Sequence, residues 1–543
     1  MTSPERTLDR ATEPRRFAYD LARTRPYAGA TSNPHESNPM PRLSTPRPLI
    51  RHAGHTTLQP AHRPAGLVVA AALAAAIALA LSGCSTEVVK PSLDLPAQFA
   101  ASLTAELESE AAWWETFSDP RLTDLVSRAM RENRDVKIAA ERLRAARAGE
   151  TIGRSWLFPS VGLSAFGADR STGYDTAKKP GAPDITTTGA GLDVSWELDL
   201  SGRLRAGAQA AEAEALAAEH GVRGVRLLVM SDVASNYFTL VGAQRQVETL
   251  RAISAAQDET LRLVSARHRV GLATAFDVER AQTDAASARA QIPPLETLAA
   301  VARHRIAVLI GDQAFNAASI QPSRGAVPVP QAKPGQPAEL LQRRPDVLAL
   351  MAQLDAANAR RQQAAAEWFP RLFLGASFGR QGLELNGVDL GAARFTNVAG
   401  LLAMPLFNAG RTRAINEVAE SGQREALLRA EDGIVRALED VENALVTLAQ
   451  ERQRAESLQS AAASAEAALG HAQSLYDRGQ IDLLPLLDAQ RARLAVRLSA
   501  NNSNTQLLLD SVQLYKALGG GWQVFEQPAN PSAATAANRS PLS

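Results

Sequence analysis

Cysteine is almost missing from this chain. Among 543 residues there is one, Cys84, so neither a disulfide framework nor a multi-cysteine zinc site can form within it. Histidine is sparse. Four of the eight lie before residue 84, and His220, His268, His304 and His471 are too far apart in sequence to share the helical spacing of metal ligands. Charge of one sign is lacking too. The 58 Lys and Arg face 57 Asp and Glu, a net of +1, and 10 Arg against 5 acids before residue 84 leave the rest at −4. A nucleic-acid binder would need a clustered basic face, so nucleic acid is not an expected partner. Gly519-Gly520-Gly521 follows no predicted strand and opens no predicted helix, which argues against a phosphate loop. With no Ser-His-Asp signature either, no enzyme activity, cofactor or resident metal is expected.

What the chain has in abundance is Ala, Leu, Arg, Glu and Gln in long tracts, the composition of extended helices. Before them stands an apolar run at 67–81, preceded by Arg42, Arg47, Arg51 and Arg63 with no acid between Met40 and Ser85. That pattern describes an export signal and is slightly short for a membrane span. The run ends at Leu81-Ser82-Gly83-Cys84, which resembles the bacterial lipobox. The resemblance implies that Cys84 carries lipid and that the chain is cut before it. Ser85 after the cysteine implies sorting to the outer membrane. A plain transmembrane anchor is the alternative. Residues 1–83 are read as leader, and Met40 offers a later start.

The chain repeats itself. Asp135-Val136 and Phe158-Pro159 recur 211 residues later at Asp346-Val347 and Phe369-Pro370. Gly202-Arg203, Gly271, Ala281-Gln282 and Gly311 recur 208 residues later at Gly410-Arg411, Gly479, Ala489-Gln490 and Gly519. Two copies are therefore expected, 120–311 and 338–519. Residues 84–119 precede them, a Pro-rich linker 312–337 joins them, and a tail 520–543 ends the chain. Each copy reads as a helix (about 120–154 and 338–367), a β-hairpin (about 156–200 and 368–408), a long helix (203–270 and 411–478) and a return helix (275–310 and 482–518). Strand two of the first copy alternates cleanly. Leu192, Val194, Trp196, Leu198 and Leu200 share one face, and Asp193, Ser195, Glu197 and Asp199 the other. Proline is absent from both long helices, each about 100 Å if continuous. Sevenfold spacing at Ile434, Val441 and Leu448, and at Val233, Leu240 and Val247, predicts coiled-coil packing. Helix cores of a soluble bundle would explain the sevenfold spacing equally well, but not the strands. Pro293-Pro294 should interrupt the first return helix.

Amphipathic strands in an exported chain can turn their apolar face to lipid, where only a closed barrel satisfies the backbone. Closure takes about eight strands. Four per chain therefore demand several copies, with the acidic side of strand two toward the lumen and the rods extending the wall.

The ordered set of motifs resembles the TolC-type outer membrane efflux proteins, in particular the lipidated NodT/OprM-like branch. It comprises Trp113-Trp114, Phe158-Pro159, Trp196-Glu197-Leu198-Asp199, Gly271-Leu272-Ala273-Thr274, Asp277-Val278, Phe369-Pro370, Pro405-Leu406-Phe407-Asn408-Ala409-Gly410-Arg411 and Leu487-Asp488-Ala489-Gln490-Arg491. The resemblance implies an internally duplicated α+β fold. Its four β-barrel strands per chain, twelve per trimer, continue into a long α-helical coiled-coil barrel, with a small mixed equatorial region. It implies a homotrimer in the lipid bilayer of the outer membrane, lipid-anchored and extending into the periplasm. There it would be the exit duct of a tripartite efflux pump of the RND type, with a periplasmic adaptor (membrane fusion protein) and an inner-membrane transporter as partners. Tyr476, Arg478, Asp482 and Asp488 are the gate candidates that it implies. Pro485 stands where some members carry a further Asp. Val270, Gly271, Leu272, Arg478, Gly479 and Gln480 are the expected adaptor contacts; the glycines also serve simply to close turns. Two other functions fit the same features: the duct of a type I protein secretion system, and a lipid-anchored coiled-coil scaffold without a pore.

Overall fold

The computed structural model describes residues 86–94, 96, 99, 112–175, 177–178, 181–312, 318, 320–321, 327–330, 337 and 342–526. Cys84, the leader, most of the linker 312–337 and residues 527–543 lie outside the described residues. The first copy contains α1 (Pro120–Glu132), α2 (Arg134–Ser155), β1 (Ser160–Arg170), β2 (Ile185–Leu198), α3 (Arg203–Arg269), α4 (Ala275–Ala290) and α5 (Ile292–Leu309). The second contains α6 (Pro345–Ala365), β3 (Arg371–Leu385), β4 (Val388–Ala403), α7 (Arg411–Asp477) and α8 (Leu483–Leu518). Short 3-10 turns stand at Trp113–Phe117, Ala366–Trp368 and Trp522–Phe525.

One helix was expected over 120–154, and two are found. Asn133 leaves the helical region at φ −59° and ψ 134°, and its Oδ1 accepts from the amides of Asp135 (2.8 Å) and Val136 (3.1 Å). A short polar side chain that bonds nearby backbone starts a new helix rather than continuing the old one. Its Nδ2 donates to the carbonyl of Leu309 at 2.9 Å, at the end of α5. The second copy repeats part of this arrangement with another side chain. Arg344, at the position equivalent to Asn133, stands at the N-cap of α6 without a side-chain cap bond, and only the tie to the return helix is kept: it donates to the carbonyl of Ala517, which is equivalent to Leu309. The return helix of the first copy is divided into α4 and α5 at Gln291, as Pro293-Pro294 requires. Its counterpart α8 is unbroken, because Pro485 falls in the first turn.

The largest core joins the 3-10 turn at 113–117, α1, the middle of α3, α5 and α8. Trp113 stacks on Tyr515 at 5.3 Å and Trp114 on Phe525 at 5.5 Å, so the tryptophan pair packs against the C-terminal segment. The Tyr237 hydroxyl donates to Asp119 at 2.6 Å, and Asp119 also caps α1. The sevenfold positions Val233, Leu240 and Val247 on α3, and Ile434, Val441 and Leu448 on α7, are all buried.

The four strands form one antiparallel sheet in the order β1-β2-β3-β4, with β2–β3 pairing joining the two copies. The outer sides of β1 and β4 carry no partner strand among the described residues.

Candidate functional site

Register and parity sort the sheet's side chains into two faces. One face carries Val161 and Leu163; Leu192, Val194, Trp196 and Leu198; Leu372, Leu374, Ala376 and Phe378; and Val398 and Leu402. Most of these chains stand open, Leu163 at 81% and Val398 at 74% exposure, while Val194, Trp196, Leu198, Leu372 and Ala376 are half-buried. Large contiguous apolar surface on a folded chain marks contact with a partner or a membrane. From Leu192 to Leu198 the band runs about 20 Å along the strand. The apolar belt of a membrane barrel is about 25 Å tall, so the sheet supplies most of it before strand tilt is counted.

The opposite face carries Ser160, Ser164, Asp193, Ser195, Ser377, Gln381 and Asn397. Ser164 donates to Asp193, and the hydroxyls of Ser160 and Ser195 pair at 2.7 Å. Three glycines on this face, Gly189, Gly191 and Gly379, are covered by rings. A Cβ on Gly189 would meet Phe166 at 2.6 Å, and one on Gly379 would meet Phe395 at 2.8 Å and the carbonyl of Ala190 at 2.3 Å. Inner-face glycines capped by aromatics let a sheet curl toward that face. The acidic side of strand two is shorter than expected. Only Asp193 remains on it free of the helices. Glu197 pairs with Arg203 at 2.8 Å. The strand stops at Leu198, and Asp199 instead caps α3, accepting from the amides of Leu204 (3.1 Å) and Arg205 (2.9 Å).

At the far end of the long helices the two copies close in the same way. The amide of Leu272 donates to Arg267 O and that of Gly271 to His268 O, each at 2.9 Å. The amides of Gln480 and Gly479 do the same to Leu475 O and Tyr476 O. These are paired left-handed caps, with Gly271 at φ +79° and Gly479 at φ +71°. Val270, Leu272 and Phe276 project from the first turn, each at least 69% exposed. The two turns lead into differently capped helices. Thr274 and Asp277 form a reciprocal capping box that starts α4. Asp482 starts α8 without any side-chain cap bond.

The gate candidates do not form one cluster. Tyr476 is buried against Val264, Leu483, Leu486 and Leu487, with the guanidinium of Arg267 over its ring at 4.5 Å. Arg478 and Asp482 lie on the surface, their side chains without ion pairs among the described residues. Asp488 lies 3.5 Å from Arg280 of α4 and 3.6 Å from Arg491. The tighter bridge is Arg491 to Asp284 at 2.8 Å, which sequence reasoning did not single out. One signal was available: Arg280 stands 208 residues before Asp488, the shift that relates the two copies. Equivalent positions thus carry opposite charges and meet.

Among the described residues no group of three or more His, Cys, Asp or Glu could hold a metal. No described helix is long and apolar enough to cross a membrane. The sheet is the element with a lipid-sized apolar face.

A duplicated chain that pairs an apolar-faced sheet with two helices of this length has the architecture of an outer-membrane duct. The profile of the outer membrane efflux protein family matches residues 125–312 and 337–520. The chain belongs to that family. It is 32% identical over 467 residues to the pyoverdine export outer membrane protein OpmQ of Pseudomonas aeruginosa, covering 84% of this chain and 97% of the relative. It is 30% identical to the cation efflux system protein CusC of Escherichia coli, covering 82% and 98%. The solved structure of the outer-membrane channel OprN superposes with a TM-score of 0.72 at 31% identity, covering 80% of this chain and all of that one. The protein is an outer-membrane exit duct of the efflux class, a β-barrel wall continuous with a helical tunnel.

Proposed function

We propose that three copies assemble into a twelve-stranded barrel and a twelve-helix tunnel. In this reading the tunnel is docked by a periplasmic adaptor and fed by an inner-membrane RND-type transporter. The observation that carries the reading is the sheet: an apolar face whose β1 and β4 edges have no partner strand among the described residues, and which further copies close. The adaptor docks at Val270, Gly271, Leu272, Arg478, Gly479 and Gln480, at two glycine-closed turns, the first of which presents the exposed chains of Val270, Leu272 and Phe276. The tip opens by motion of α8 against α4. Support comes from the missing cap at Asp482, and from the Arg280–Asp488 and Asp284–Arg491 bridges, which span those helices. Tyr476 holds the second turn as core.

Cys84 carries the lipid anchor. The segment just beyond it is held by side chains. Asn358 accepts from the Val89 amide (3.2 Å) and donates to the Val89 carbonyl (3.0 Å), and Gln423 donates to the carbonyl of Glu87 (3.1 Å). Gln423 lies about 18 Å along α7 from its first residue, Arg411, and Glu87 stands three residues after Cys84.

The cargo is a small molecule chosen upstream, since relatives of nearly equal identity are named for pyoverdine and for cations. Deleting the gene should sensitise cells to at least one class among dyes, detergents, antibiotics and metals. Unchanged susceptibility to all four would remove the efflux role, and a non-trimeric particle in detergent would remove the assembly.

A further inference from the structure

Two charges stand on the apolar face of the sheet. Arg380 of β3 and Arg394 of β4 are direct cross-strand partners, and parity puts both on the face of Phe378, Leu192 and Leu163, one row nearer the hairpin turns. Both are exposed, and neither has an ion pair or hydrogen bond among the described residues. Their row continues as Ala190 and Ala165, which leaves the space beside them open. The acids of this face, Asp169, Glu384 and Asp389, stand two rows farther out, about 14 Å along the strand.

Like charges directly opposite on a sheet destabilise it. Here they stand where the apolar band ends, on the side away from the helices. If the sheet is the membrane wall, as proposed above, that side is the outward membrane boundary, where lipid headgroups lie. Two guanidiniums side by side match the oxygens of one phosphate, with several charge-assisted donors in planar forks. We propose that Arg380 and Arg394 clamp the phosphate of an anionic lipid in the outward leaflet, whose acyl chains lie along Phe378, Leu192 and Leu163. The site carries its own specificity: a charged pair at the end of an exposed apolar strip fits a phosphorylated lipid better than either a free anion or a neutral lipid.

The test uses the whole protein in nanodiscs of zwitterionic phosphatidylcholine, titrated with diphosphorylated lipid A and read by native mass spectrometry. Native protein should retain about one such lipid per subunit. R380Q/R394Q should lose affinity by about tenfold or more, because both charged donors are gone. R380K/R394K should bind at an intermediate level. Fully dephosphorylated lipid should bind native protein no better than the diphosphorylated lipid binds the glutamine variant. Arg424→Gln, on α7 and away from the sheet, should bind as native. The assignment is overturned by unchanged affinity in R380Q/R394Q or by equal retention of the dephosphorylated lipid. Inorganic phosphate binding as tightly as the lipid would also overturn it. The same spectra give the mass of the assembly, so a failure of the threefold reading is seen separately from a failure of this site.

Discussion

Helices α3 and α7 are equivalent, each 67 residues long, yet α3 buries 27 residues and α7 only 12. The first is surrounded by α2, α4, α5, α6 and α8; the second packs chiefly on α6 and α8. On α7, Leu428, Val435 and Val446 remain at least half exposed. They are spaced by seven and eleven residues, which puts them on one stripe. A stripe of that kind on a helix otherwise well supplied with charge is a seam waiting for another helix. One copy of the duplicated unit is thus buried within the chain, and in the assembly proposed above the other is finished by a neighbouring subunit.

The sharpest way to break that contrast is to charge the α7 stripe. L428E/V435E should leave helix content intact by circular dichroism, abolish the trimer in light scattering and eliminate pore conductance in planar bilayers. A trimer that survives would mean that the stripe faces something other than a neighbouring subunit. The matched change on α3, Leu240→Ala, should do the reverse. Its side chain is fully buried within the subunit, so thermal unfolding should show a loss of about 2–5 kcal/mol while assembly persists.

The contrast also explains what could be read from the sequence. Duplication, both hairpins, both rods and the glycine turns were legible because each rests on local chemistry: alternation at Leu192–Leu198, absence of proline in the rods, and glycine where φ must be positive. The sevenfold pattern was legible too, but it does not distinguish a seam inside the subunit from one between subunits. The break at Asn133 was missed although its cap is local, because Asn is also tolerated within a helix, and the bond that fixes its side chain goes to the Leu309 carbonyl, 176 residues away. The tip bridges were missed for the second of these reasons. Asp488 was noticed as a charge near a turn, whereas Arg280 and Asp284 acquire meaning only when α4 lies beside α8. Asp199 was read as a continuation of strand alternation, and the competing demand for a helix cap prevailed.

A smaller effect tests whether the second copy is also looser at its tip. Gly271→Ala and Gly479→Ala impose a similar left-handed penalty, about 1–2 kcal/mol, on two turns of the same geometry. The first turn is backed by the Thr274–Asp277 capping box and the second is not. G479A should therefore increase amide exchange around 476–486, and raise the frequency of channel opening, more than G271A does around 268–278. Equal responses would remove the asymmetry from the gating account.

The smallest effect concerns a buried acid. Asp510 of α8 is buried; its Oδ1 accepts from Gln506 at 2.8 Å, and its Oδ2 has no partner among the described residues. The equivalent position in the first copy is Ala302, buried on α5 in the large core. Burial pushes the Asp510 carboxyl up, the Gln506 hydrogen bond opposes this, and the charge of Glu451 adds to the rise. A carboxyl whose folded value is raised penalises the folded state when ionised. That penalty is complete above the raised value and fades as pH falls toward 3.8. Stability of the native protein should therefore gain from this group on mild acidification. Asp510→Asn should remove that gain and add about 1 kcal/mol at neutral pH by ending the burial of an unpaired charge. Measured as the difference in unfolding midpoint between pH 7 and pH 4.5, an identical shift in both proteins would mean that burial does not hold the Asp510 carboxyl above its unfolded value, and would remove this acid from the list of what sets the second copy apart.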